Sequence, residues 1–138
     1  MRAILCKEYG PAETLVIEDV PSPVVKGHGV KVRVKAAGLN FPDTLIIEGK
    51  YQLKPTMPFS PGGEMSGEVI EIGEKVTRFK PGDRVAGLTG YGAFAEEVVV
   101  PEQNILPIPE SMSDEKAAAF SMVYGTSYYA LKQRANIQ

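Results

Sequence analysis

Residues 30–43 read VKVRVKAAGLNFPD, and the first half of this stretch is the clearest strand signal in the chain. Valines alternate there with charged residues, which is the period of a strand with one buried face. The residues that follow, 40–43, are typical of a helix start, because proline suits the first turn and Asp43 lies near its positive end. The stretch therefore predicts a half-buried strand that leads into a short helix, which Gly49 ends.

On both sides of this stretch, short strand-like segments alternate with turns rich in Gly and Pro. Strands are expected at residues 2–7, 14–19, 68–73, 94–100 and 105–108. Many short strands at near-regular spacing favour a barrel or a sandwich. Near the end, Ser113 can cap a helix, and residues 122–134 have helical residue types. The expected fold class is mainly β with short helices, ending in one or two α-helices.

The composition is that of an ordinary soluble domain. The chain has 138 residues, of which 43% are hydrophobic and 23% charged, and its net charge is -2. This length suits one domain with its own core, and the charge gives no attraction to nucleic acid or to anionic membranes. No run approaches the roughly 20 apolar residues of a membrane span, and the first residues do not form a secretory signal. A cytoplasmic location is therefore expected, with no nucleic-acid or membrane partner.

Metal and phosphate sites are not expected in this chain. Cys6 and His28 are its only cysteine and histidine, whereas zinc sites in proteins use three or four Cys, His or acidic ligands. Phosphate-binding loops need glycines at fixed spacings. Gly62 and Gly67 have one such spacing, but Glu68 stands where the lysine of that loop would be. The sequence thus predicts no zinc and no phosphate site of its own.

Five segments, in order along the chain, resemble signatures of the medium-chain dehydrogenase/reductase superfamily. They are AAGLNFPD at 36–43, PFSPGGEMSGEV at 58–69, VTRFKPGDRV at 76–85, GAFAE at 92–96 and GTSYYAL at 125–131. Zinc alcohol dehydrogenases of this superfamily have a cysteine ligand where this chain has Asn40 and a histidine ligand where it has Gly63. At both positions the chain is similar to the zinc-free quinone oxidoreductase branch.

This resemblance implies a domain organisation. Residues 1–120 would form a GroES-like, partly open β-barrel on the substrate side, and residues 121–138 a linking helix toward a Rossmann domain that is missing from the chain. The barrel of the family also takes elements from the far C-terminus, so unpaired strand edges and a homodimer are expected here. A stand-alone GroES-like binding or oligomerisation module without catalysis is the alternative.

The resemblance also implies an activity and its residues. NADPH, bound mainly by the missing domain, would deliver a hydride to a quinone or an α,β-unsaturated carbonyl compound. Asn40, Asp43 and Tyr51 are the implied catalytic residues, and Asn40 and Thr126 the implied cofactor contacts. Each also has a structural interpretation: a helix cap, an acid in a first turn, a packed ring and a helix-start hydroxyl, respectively. Glu64 is expected to be a buried carboxylate bonded to barrel amides.

Overall fold

The computed structural model describes residues 1–137 and confirms a mainly β chain with short helices. Within these residues the strands are β1 (Arg2–Leu5), β2 (Val16–Asp19), β3 (Gly29–Gly38), β4 (Glu64–Ile72), β5 (Arg84–Leu88), β6 (Glu97–Pro101) and β7 (Ile105–Pro107). The helices are α1 (Phe41–Ile47), α2 (Asp114–Ala118) and α3 (Ser121–Tyr128), and α3 continues as a π-helical segment, Tyr129–Arg134. Short 3-10 turns lie at Ala12–Thr14 and Glu102–Asn104.

The sheet is antiparallel and open. Its strand order is β6-β3-β4-β5-β7. The hairpin of β1 and β2 is a separate sheet, held by isolated bridges of Ala3 with Ala95 and of Cys6 with Phe59, two residues outside the strands. In the described part of the chain β6 and β7 each have one strand neighbour, so both remain sheet edges. This agrees with the partly open barrel that the resemblance implies, and each edge leaves backbone donors and acceptors free for pairing.

The alternating stretch forms β3, an interior strand of the sheet between β4 and β6. Val30 and Val32 are fully buried, as the pattern predicts. Lys31 departs from it, because this charged residue is also buried and its Nζ lies 2.6 Å from Oε2 of Glu71 on β4. Arg33 and Lys35, further along the strand, are exposed, so the burial is local to Lys31, whose charge remains paired with Glu71.

Two apolar clusters form the core. The larger lies inside the sheet and is built mainly from valines of β3, β4, β5 and β6. The smaller contains Cys6, Ile46, Ile47 and Phe59, and Tyr51 packs against it. Burying one such aliphatic or aromatic side chain contributes about 1.5–3 kcal/mol to folding, so the smaller cluster fixes α1 against the barrel.

The C-terminal helices differ in how they are buried. Ser113 caps α2 as predicted, with its Oγ accepting the N–H of Lys116 at 3.4 Å, and Ala117 and Ala118 are buried. The α3 region instead exposes large apolar side chains: Phe120, Val123, Tyr124, Tyr128, Tyr129, Leu131 and Ile137. The boundary at residues 120/121 stays a prediction, and Gln138 of the predicted linking helix lies outside the described residues. No helix among residues 1–137 is long and apolar enough to cross a membrane.

Candidate functional site

A cavity of about 240 Å³ brings together three of the four predicted site residues, Asn40, Asp43 and Tyr51. Its other walls include Ile46, Gln52, Leu53, Leu88, Gly90 and Met122. The site is thus formed by the start of α1, the loop after it, the end of β5 and the first turn of α3. A wider opening of about 340 Å³ beside the β1–β2 hairpin contains none of the predicted residues.

Asn40 occupies the N-cap position of α1, where only half of a capping box is formed, because its side chain makes no cap hydrogen bond to the helix. Its backbone N–H donates to Oδ2 of Asp43 at 2.8 Å, and its carbonyl accepts the N–H of Asp43 at 3.0 Å. The amide also has a partner outside the helix, because Nδ2 donates to Oε2 of Glu64 at 3.1 Å. The residue therefore begins the helix through its backbone, whereas its side-chain amide binds Glu64 instead of capping the helix.

Asp43 is a buried carboxylate in the wall of this cavity, only 5% exposed. Burial raises the pKa of its carboxyl, and the negative charge of Glu64 adds to the increase. The backbone N–H groups of Asn40, Gly63 and Gly62 act in the opposite direction. The acid thus has a structural role in the first turn of α1, and it keeps its proton at higher pH than a solvated aspartate does.

Tyr51 and Thr126 have different relations to the cavity. Tyr51 is half-buried, packs against the smaller core cluster and also lines the cavity, so both interpretations of this residue fit its position. Thr126 is exposed on α3, one helical turn beyond Met122, and it is outside the cavity lining. The structure therefore does not bring Thr126 to the other three, and the catalytic and cofactor roles of all four residues stay predictions.

Glu64 is buried, as expected from the sequence, but the sequence did not reveal its partners. It is 1% exposed, and its two oxygens accept from Asn40 Nδ2 at 3.1 Å and from the backbone N–H of Met122 at 2.8 Å. It binds amide groups, as expected, but these belong to the Asn40 side chain and to the backbone of α3, not to strands of the barrel. No local pattern indicates these partners, because they come from the tertiary fold.

Side chains that could bind a metal do not form a cluster of three in the described part of the chain. In the range that the structure covers, residues 1–137, no group of three or more His, Cys, Asp or Glu side chains could hold a metal ion. Cys6 belongs to the smaller core cluster, and His28 lies in a turn with its Nδ1 2.9 Å from Oε1 of Glu102. The prediction that the protein works without zinc remains a prediction.

Known families give an independent measure of relationship. Residues 26–110 match the family model described as "Alcohol dehydrogenase GroES-like domain". The "Quinone oxidoreductase-like protein 2 homolog" of Nematostella vectensis is 48% identical over 99% of this chain, which corresponds to 38% of that relative. The chain thus spans about two fifths of the length of such relatives.

Solved structures agree with this relationship. A human synaptic vesicle membrane protein VAT-1 homolog-like protein superposes with a TM-score of 0.95 at 37% identity, covering 100% of this chain and 45% of that one. The quinone oxidoreductase of Thermus thermophilus, which was also solved in complex with NADPH, gives 0.83 at 40% identity, covering 100% of this chain and 42% of that one. The chain therefore belongs to the alcohol dehydrogenase GroES-like domain family, and over its whole length it is related to the quinone oxidoreductases of the medium-chain dehydrogenase/reductases.

Proposed function

We propose that this chain is the acceptor-side domain of an NADPH-dependent oxidoreductase that reduces a quinone or an α,β-unsaturated carbonyl compound. The observation that carries the proposal is the cavity shared by Asn40, Asp43 and Tyr51 in a chain related to quinone oxidoreductases. The chain spans only part of these relatives, so the activity is proposed for a protein that also contains the remaining portion. NADPH would supply the hydride when it is bound.

The cavity walls suit a flat, neutral acceptor. Ile46, Leu53 and Leu88 present apolar surface, while the polar groups converge at the start of α1. Such a pocket excludes water and holds an acceptor carbonyl in one orientation, which is the main requirement of hydride transfer. No covalent nucleophile is needed for this reaction, and the lining contains no Cys or Ser.

Three side chains can stabilise the acceptor as its oxygen becomes negative. One N–H of the Asn40 amide is bound by Glu64, so the second N–H remains for the acceptor carbonyl or the nicotinamide amide. Tyr51 lines the same wall, and its hydroxyl can serve as a second donor. Asp43 is the third group, and burial raises the pKa of its carboxyl, which disfavours a second negative charge beside the acceptor oxygen. We assign Asn40 and Thr126 to cofactor contact as well.

Recognition of the dinucleotide belongs, in this proposal, to the remaining portion of the relatives. The chain contains no glycine-rich phosphate loop of the usual spacing. The apolar side chains exposed on α3, such as Tyr124 and Tyr128, are the surface that a Rossmann domain would cover. The free edges of β6 and β7 suit further strands or a homodimer. The cytoplasmic location expected from the sequence remains a prediction.

Two measurements test the proposal. In a fluorescence titration, the chain alone should bind NADPH weakly or not at all. In a chimera, residues 1–138 replace the matching portion of the Thermus thermophilus quinone oxidoreductase, and quinone-dependent oxidation of NADPH is followed. We expect activity, and an Asn40→Ala chimera should lose roughly tenfold or more in kcat/KM, as removal of a positioned donor does.

The chimera experiment includes a control variant and a result that would contradict the proposal. Asn104→Ala is the control, because this residue lies in a 3-10 turn away from the cavity and should leave kcat/KM unchanged. A folded chimera that stays inactive with varied quinones and enones would contradict the reductase proposal. It would favour the stand-alone binding or oligomerisation module, for which the open edges β6 and β7 are the supporting observation.

A further inference from the structure

We infer that Glu64 is a positioning residue, whose carboxylate holds the Asn40 amide and the first turn of α3 as one hydrogen-bonded unit. The effect on catalysis rests on the proposed function, whereas the unit itself does not. Asn40 and Met122 both line the cavity, and Glu64 contacts both from behind it. The arrangement fixes two walls of the site relative to each other.

Because Glu64 is buried, both of its carboxylate oxygens need hydrogen-bond donors. The side chain is 1% exposed, and none of the ion pairs within residues 1–137 includes it. A buried carboxylate without a cation depends on hydrogen bonds to remain compatible with the fold. Oε2 has the amide of Asn40, and Oε1 has the N–H of Met122. Loss of either partner would leave a buried oxygen unsatisfied.

The bond to Asn40 decides which way its amide faces. An asparagine amide has a donor side and an acceptor side, and it can be turned over without changing its shape. The carboxylate accepts only, so it selects the orientation in which Nδ2 points toward Glu64. The carbonyl Oδ1 and the second N–H then have fixed positions at the cavity. Without Glu64 the amide could exchange its donor and acceptor sides.

The bond to Met122 supplies a cap that α3 lacks. Phe120 at the N-cap position gives no side-chain hydrogen bond, so the first N–H groups of α3 have no partner from their own segment. Glu64 satisfies one of them from β4, and its charge is favourable at the positive end of a helix. A displacement of α3 would therefore be transmitted through this carboxylate to Asn40.

Gly38 provides the space for the unit. It lies opposite Glu64 in the pairing of β3 with β4. A Cβ on this residue would lie 2.9 Å from Oε2 of Glu64, 2.7 Å from the carbonyl oxygen of Ala118 and 3.4 Å from Nδ2 of Asn40. Any larger residue would displace the carboxylate or the helix that follows, so a glycine at this point is part of the arrangement.

The first test uses NMR on the isotope-labelled 138-residue chain and needs no activity. Scalar couplings across hydrogen bonds should connect Cδ of Glu64 both to Nδ2 of Asn40 and to the backbone nitrogen of Met122. In Glu64→Gln, which offers one acceptor oxygen instead of two, the Asn40 side-chain resonances should move. Amide exchange at Met122 should accelerate roughly 10- to 100-fold, the scale of one lost hydrogen bond to a charged group.

The matched control is Glu68→Gln, the same substitution four residues further along β4, which should leave both signals in place. If Glu64→Gln affects Met122 but leaves the Asn40 side chain as in the wild type, Glu64 is only a helix cap and the inference is wrong. If the variant does not fold, the wild-type couplings decide, and a missing coupling to Asn40 overturns the inference.

The second test measures the catalytic consequence in the Thermus thermophilus chimera. Glu64→Gln should lower kcat by roughly 10- to 100-fold and change the KM for NADPH little. Loss of a residue that orients a group in the site from behind it reduces activity by about this factor. Unchanged kcat in a folded variant would overturn the positioning role. An inactive parent chimera would instead contradict the proposed function, and the NMR result would stand independently.

Discussion

The backbone N–H of Asn40 donates to Oδ2 of Asp43 at 2.8 Å, at the point where α1 begins beside the cavity. This hydrogen bond favours the ionised form of the carboxyl and lowers its pKa. Burial has the larger effect, so the pKa of Asp43 is raised. A residue that looks like a simple first-turn acid is therefore kept in an environment that penalises its charge. This balance can be measured.

We expect the stability contributed by Asp43 to fall as pH rises. Its raised pKa means that the folded chain binds the proton more tightly than the unfolded chain does, so stability declines from the ordinary aspartate pKa of 3.8 up to the folded value. Asp43→Asn removes this dependence. The free energy of unfolding of the variant minus that of the wild type should thus be larger at pH 7 than at pH 4, as measured by urea denaturation. Parallel pH curves for the two proteins would contradict the prediction.

Gly38→Ala should destabilise the chain by about 2–3 kcal/mol, the upper part of the range for overpacking, because one of the clashing atoms is a backbone oxygen. Gly125→Ala is the control. A Cβ on Gly125 meets nothing within 4 Å. Because this glycine is helical, Gly125→Ala should raise the free energy of unfolding by up to about 1 kcal/mol. Urea denaturation of both variants at one pH gives the comparison. Equal stabilities would show that α2 adjusts without cost.

Glu102→Gln should lower the melting temperature at neutral pH. The hydrogen bond with His28 lowers the pKa of the Glu102 carboxyl most, and the bond from the N–H of Thr77 is the second cause. The stability that Glu102 contributes is therefore present above the ordinary pKa of 4.5 and is lost as pH falls through the lowered value. The melting temperatures of variant and wild type should converge in acid. Glu110→Gln is the control, because Glu110 contacts Arg84 through its backbone carbonyl. A difference that persists in strong acid would contradict the argument.

The chain alone should associate through the exposed surface of α3. The rings of Phe120 and Tyr124 stack at 5.1 Å between centroids and are 51% and 62% exposed. Replacing both by serine should weaken concentration-dependent association in analytical ultracentrifugation, since the apolar patch is reduced. Tyr9→Ser is the control, because this exposed ring lies far from α3 in sequence, at the β1–β2 hairpin. Association unaffected by the double change would point to the open strand edges.

Much of the fold follows from local patterns. Valine alternation predicted β3, and Ser113 predicted the cap of α2, because both signals act over a few residues. Strand β4 begins at Glu64, four residues before the predicted start, since glycines and a serine hid its first half. The burial of Lys31 depends on Glu71, forty residues away, and no local pattern contains that pairing.

The site was predictable in part. The motif around residue 40 identified Asn40 and Asp43, and the loop after α1 brings Tyr51 to the same cavity. Thr126 is not in the cavity wall, and its assignment still depends on the resemblance. The bonds of Glu64 could not be foreseen, because they join three segments whose proximity only the folded chain creates.

The single thiol of the chain can report on motion of the smaller core cluster, which packs behind the cavity wall at Ile46. Cys6 is 1% exposed, packs with Ile46 and Ile47 of α1, and burial raises its pKa. A thiol in this state is protected from alkylating reagents until its surroundings separate. The rate at which such a reagent labels the folded chain therefore reports how readily the smaller core cluster opens, without any engineered probe.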